Sequence, residues 1–198
     1  MNYSIIFENF SNWIEINYFF SIFIFFIFII LYSTFSLPGL LLFWVFGGFA
    51  FGIIISFIIC LISSTIGCFC FFIISKYFLN MFFKKKYKKY VSKIDDFIEN
   101  SSLEYLIIFR LIIGPPLMIQ NLILSFLEIS SSRFILSTFI GLLPMVLFST
   151  LIGNKLNNLA SVNAITFKNI FTLDLLLILL SLILIMCAKI YFKKRKTK

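Results

Sequence analysis

Three polar side chains stand where little else in this chain could do chemistry. Arg110, Gln120 and Asn121 belong to the stretch FRLIIGPPLMIQN, residues 109–121, which is otherwise apolar and is interrupted at Gly114-Pro115-Pro116. A guanidinium carries five N–H donors in a planar fork, suited to bidentate contact with phosphate or carboxylate. The two amides after the turn could donate to the same ligand or to broken backbone. The opposing reading is structural: Arg110 snorkels to an interface, or pairs with Glu104.

Which reading matters depends on the surroundings, and composition defines these. Of 198 residues, 61% are hydrophobic and 13% are charged. Soluble domains average about 45–50% apolar and about 25% charged. From Ile16 to Ser75, a run of 60 residues, there is no Asp, Glu, Lys or Arg. A helix crosses a bilayer with about 20 apolar residues, so the expected solvent is lipid. At bilayer depth an arginine costs at least ~2.5–3.5 kcal/mol on insertion scales, which calls for a partner, a cavity or a ligand.

Apolar runs and breakers divide the chain into elements. Residues 1–17 have helical apolar spacing at Ile6, Phe10, Trp13 and Ile14, with Glu8 and Glu15 elsewhere, which suggests an interfacial amphipathic helix, with a disordered tail as the alternative. Two glutamates and no Lys or Arg in this segment argue against a signal peptide. A first transmembrane helix is expected over 18–36. Pro38-Gly39 opens a short apolar segment, 37–52, weakened by Gly48 and Gly52. A span follows over 53–78, then a basic loop over 79–102. The interrupted segment 103–127 comes next, then a span over 134–153, an outer loop over 154–169, a last helix over 170–188 and a basic tail over 189–198.

Charge sets the topology. Of 17 Lys and Arg, seven fall in 76–93 and six in 189–198. The positive-inside rule places both blocks in the cytoplasm. Three apolar segments lie between them, so one must fail to cross. Residues 103–127 are the candidate, because a double proline inside a helix is costly, at ~3 kcal/mol or more for each interior proline. A re-entrant hairpin that turns at Gly114, Pro115 and Pro116 is expected. Segment 37–52 reads as its counterpart from the other face. The expected fold is therefore an all-α integral membrane protein, with about four spanning helices and two oppositely inserted re-entrant hairpins related as an inverted repeat. In transporters, broken segments in matching positions point to a site near the midplane.

Several function classes are weakly supported. Histidine is absent, and neither G-x-S-x-G, H-E-x-x-H nor a phosphate-binding glycine loop occurs. An enzyme is therefore not expected, nor is a bound metal, a cofactor or a nucleic-acid partner. Cys60, Cys68, Cys70 and Cys187 form no C-x-x-C pair and read as small core residues.

Two sets of motifs carry a family resemblance. The second half has Phe109-Arg110, Pro116 and Asn121, then Phe134, Thr138, Gly141 and Pro144. The first half has Leu37-Pro38-Gly39, then Gly48 and Gly52, then Gly67, Phe72 and Lys76-Tyr77. In order and spacing, over roughly residues 37–153, these resemble the VTT-domain superfamily. That superfamily includes the SNARE-associated Golgi proteins, the bacterial DedA proteins and the Tlg-vesicle-protein branch, and this chain is most similar to the last. Departures are Ile113 at a family proline position, the additional Pro115, Ser125 for Gly, Lys76 for Arg, and no carboxylate in the first hairpin. The resemblance implies a re-entrant membrane fold, with Pro38, Gly39, Gly48, Gly52, Gly114, Pro115, Pro116, Gly141 and Pro144 as structural motif positions. It also implies movement of phosphate-containing lipids across the bilayer by translocation or scrambling, with membrane lipids as partners and Arg110, Asn121 and Gln120 as the binding residues. A secondary transporter of a small anion or solute is the alternative, and a non-catalytic membrane organiser a further one. The expected host is a bacterial inner membrane.

Overall fold

The computed structural model describes residues 12–99, 103–111, 117–126 and 129–160. The described elements are all helical. Residues 12–16 form a short helical turn that leads through Asn17 into α1 (Tyr18–Thr34), followed by α2 (Leu40–Phe51), α3 (Ile53–Glu99), α4 (Leu103–Leu111), α5 (Leu117–Phe126) and α6 (Ser131–Ala160). Phe and Ile, abundant here, have only modest helix propensity in water. In hydrocarbon every backbone N–H and C=O must find a partner within the chain, and a helix satisfies this locally.

The surface is inverted relative to a water-soluble protein. Phe19, Phe23, Leu42, Ile54 and Phe78 are exposed, whereas Ser56, Ser63, Ser64, Ser137, Thr138 and Thr150 are buried. Two helical segments among the described residues are long and apolar enough to cross a bilayer: Ile53–Phe78 and Ser131–Asn158. Helices α1 and α2 are apolar but shorter, at 17 and 12 residues.

Each chain reversal has a local cause. At the end of α1, Leu37 N–H donates to Tyr32 O and Ser36 N–H to Ser33 O, the double bond pattern of a Schellman cap. Its left-handed position is usually glycine. Here it is Ser36, at φ 50°, which places a serine in a conformation that L side chains seldom adopt. Between α2 and α3, Gly52 has φ 75° and ψ 176°, a region open essentially to glycine alone.

Packing exchanges the two halves. Short α2 packs on the long α6, and short α5 packs on the long α3; α3 and α6 also pack on each other, α1 packs on α3, and α4 on α6. Glycines permit the closest crossing. A Cβ at Gly48 would overlap the backbone of Thr150, and one at Gly153 would overlap the backbone of Val45 and Phe49. A polar tie joins α2 to α3, where buried Trp44 donates its Nε1–H to Ser64 Oγ at 3.0 Å. Ser64→Ala is expected to lower the melting temperature modestly, for a loss of about 1 kcal/mol in line with interhelical bonds in lipid. Thermal unfolding of the purified protein checks this.

Several boundaries differ from those expected. The expected basic loop 79–102 is helical over its described residues: α3 continues through Glu99. Lysine, tyrosine and phenylalanine are compatible with helix, and no Gly or Pro intervenes between Gly67 and Gly114. Residues 37–52 do not fold back within themselves. They form a turn and a single helix in which Gly48 is a contact residue rather than a bend. Gly141 and Pro144 lie inside continuous α6. Neighbouring helices and local adjustment can absorb an interior proline in a membrane helix. Helix α6 extends beyond the expected span at both ends and takes the first seven residues of the expected outer loop 154–169. Segments 1–11, 161–169, 170–188 and 189–198, and the turn residues Gly114, Pro115 and Pro116, lie outside the described residues.

Candidate functional site

Arg110 lies near the end of α4 and is only 4% exposed. Its burial is made possible by the facing helix. Phe134, Thr138 and Gly141 follow one another at four- and three-residue spacing, so they share one face of α6. Gly141 leaves room for the arginine stem, since a Cβ there would overlap Arg110 Cβ. Thr138 Oγ1 accepts from Nη2 at 3.0 Å. The ring of Phe134 lies 5.0 Å from the guanidinium carbon, within cation–π range.

The remaining contacts come from across the fold. Nη1 donates to Asn121 Oδ1 of α5 at 2.6 Å. Asn121 is wholly buried and passes the network on through Nδ2–H, to Ser36 Oγ at 3.1 Å and Cys68 Sγ at 3.4 Å. Ser36 Oγ in turn donates to Ser33 O at 3.2 Å. The strained serine of the α1 cap is therefore a direct partner of the amide that holds the arginine. Four helices and one cap meet at a single charge.

The described contacts of this charge are all neutral. Among the described residues, the guanidinium's partners are an amide oxygen, a hydroxyl oxygen and a ring face, and Nε–H has no hydrogen-bond partner. A buried cation with neutral partners has had part of its hydration replaced but none of its charge balanced. An anion is the species such a site would hold most strongly, through the charge-assisted bonds that guanidinium forms with phosphate.

Of the residues expected at the site, the structure brings Arg110 and Asn121 into direct contact. Gln120, the preceding residue on α5, is buried as well. Snorkelling of Arg110 is excluded by its burial. Ser36, Cys68 and Thr138 belong to the cluster although the sequence did not single them out as ligand-facing. The shared α6 face of Phe134, Thr138 and Gly141 was the available signal.

Comparison with protein families finds that the model described as the VTT domain matches residues 37–155. Comparisons with curated proteins and with solved structures yield no match. The matched segment contains every residue of the Arg110 cluster except Ser33 and Ser36, which immediately precede it.

Proposed function

Since the chain belongs to the VTT-domain family, of SNARE-associated Golgi and DedA type, we propose that it moves phosphate-containing lipids across the bilayer, with Arg110 as the cation that receives the phosphate. Membership and the apolar helices support an integral membrane protein whose described elements are all helical. The observation that carries the lipid reading is the buried guanidinium whose described partners are all uncharged. A headgroup phosphate would supply the missing charge, while its acyl chains stay against the exposed Phe, Ile and Leu of the outer surface.

In this reading Asn121 and Thr138 orient the fork, and Gln120 lies close enough in sequence to assist at the same headgroup. Helices α4 and α5 form the two arms of a re-entrant hairpin, and α2, a single short helix, takes the matching place in the first half. The exchanged packing of α2 on α6 and α5 on α3 is what an inverted repeat predicts. The lysine-rich end of α3 and the C-terminal tail face the cytoplasm of a bacterial inner membrane.

The test is reconstitution of the purified protein into vesicles with a trace of fluorescent phospholipid. Arg110→Ala is expected to slow transbilayer movement by about 100-fold, the order of two charge-assisted hydrogen bonds. A wild type no faster than protein-free vesicles, or an Arg110→Ala variant as fast as wild type, sinks the proposal. Uptake that instead follows a pH gradient and requires no lipid movement would favour transport of a small anion.

A further inference from the structure

Two phenylalanines from different helices separate two cations. Phe72 of α3 and Phe134 of α6 are almost fully buried, with centroids 4.2 Å apart and planes inclined by 24°. A stack that close fills one face of each ring. Arg110 lies against the Phe134 ring, and Lys76 lies against the Phe72 ring, with its Nζ 5.4 Å from the centroid. Each ring of the stacked pair thus has its own cation, the ammonium at Phe72 and the guanidinium at Phe134.

The two cations differ in access. Lys76 lies two residues from the end of the apolar span Ile53–Phe78 and is half-buried. Its Nζ donates to Ile129 O, ahead of α6, through a long bond of 3.4 Å. Among the described residues, that leaves an ammonium with two further donors at the rim of the apolar layer. Arg110, beyond the rings, is closed off and keeps one unused N–H.

We propose that Lys76 is an outer station for a phosphate anion and that the Phe72–Phe134 stack is the gate between it and Arg110. This rests on the reading of Arg110 as the phosphate-receiving cation. With the gate shut, each ring presents its electron-rich face to a cation, in the position an anion would take. A phosphate arriving at Lys76 offers a full negative charge in place of a quadrupole. It displaces Phe72 from the ammonium, the stack parts, and the anion passes to Arg110, where Nε–H becomes an additional donor. The gate is thus opened by the ligand it admits. A lipid headgroup and free phosphate share this chemistry.

The experiment uses the full chain in phosphatidylcholine vesicles containing a trace of tail-labelled phosphatidylglycerol, with loss of signal to an external quencher as the readout. Lys76→Gln is expected to slow movement about tenfold, the order of one charged hydrogen bond, and Lys76→Arg to restore it. Phe72→Leu, which removes one ring of the gate, is expected to speed it severalfold. Lys76→Gln at wild-type speed, with Arg110→Ala slow, overturns the outer station while the lipid function stands. Wild type no faster than empty vesicles removes the function and the station together. If Lys76→Gln does not fold, Phe72→Leu decides: a faster rate supports the gate, an unchanged rate overturns it. A parallel set of vesicles loaded with inorganic phosphate separates the two sources. Release that depends on Lys76 and Arg110 assigns the stations to free phosphate, and retention assigns them to the headgroup.

Discussion

Asn121→Asp is expected to leave the protein folded and to reduce lipid movement by about 100-fold, the equivalent of roughly 3 kcal/mol in a rate-limiting barrier. The substitution is nearly isosteric, so packing at this fully buried position is preserved. The new carboxylate would accept from Arg110 Nη1 where the amide oxygen does now, at 2.6 Å. Of the two groups that now take Nδ2–H, the Cys68 thiol can turn and donate instead, and the Ser36 hydroxyl can do so by giving up its bond to Ser33 O. Geometry is thereby kept while the guanidinium gains a tethered counter-charge that any phosphate must displace. A purely structural role for Arg110 predicts a different outcome: an ion pair in place of a neutral bond, unchanged stability and unchanged transport. Melting temperature and vesicle assay, measured on the same preparation, separate the two. Transport at wild-type rate by a folded Asn121→Asp protein would refute the anion site.

The second large effect concerns two adjacent glycines that should respond very differently. At Gly48 an added methyl meets backbone atoms of Thr150, which no side-chain rotation can move aside. At Gly47 it meets Phe25 Cε1 and Cζ at 3.0 Å and Cys60 Sγ at 3.2 Å, which are side-chain atoms able to shift. Gly48→Ala is therefore expected to destabilise by about 3 kcal/mol, the upper end of overpacking costs, and Gly47→Ala by about 1 kcal/mol. Both are alanine substitutions in one helix, so helix propensity, which favours alanine equally at each, cancels in the comparison. Thermal unfolding in detergent measures the pair. Equal effects would mean that α2 and α6 can separate freely, and that their crossing is not what holds the two halves together.

The membrane class and the identity of the buried cation were legible in the sequence, because both depend on local contrast. An arginine among Leu and Ile is conspicuous, and so is a stretch of 60 residues without charge. Partners brought from a distance were not legible. Asn121 meets Ser36 across 85 residues and Cys68 across 53, and small serines and cysteines recur throughout the chain. Charge also misleads about secondary structure. Lys84–Lys93 suggests a solvated loop, yet lysine does not interrupt a helix, and the segment continues α3. Gly48 misleads in the opposite sense: glycine signals a bend, whereas here it admits a neighbouring backbone. Ser36 had no sequence signal, since the left-handed cap it occupies normally calls for glycine.

Helix α3 has 47 residues, of which only the first 26, Ile53–Phe78, form the apolar span. At 1.5 Å per residue the rod measures about 70 Å, more than twice the oily layer, which is about 30 Å thick. Its N-terminal end adjoins Gly52, whose backbone conformation is open essentially to glycine alone. Over that length a five-degree rotation about the Gly52 end would carry the tip by about 6 Å. Rotations too slight to follow among the inner side chains would thus be written large at the far end of the rod, where a spectroscopic tag could read them.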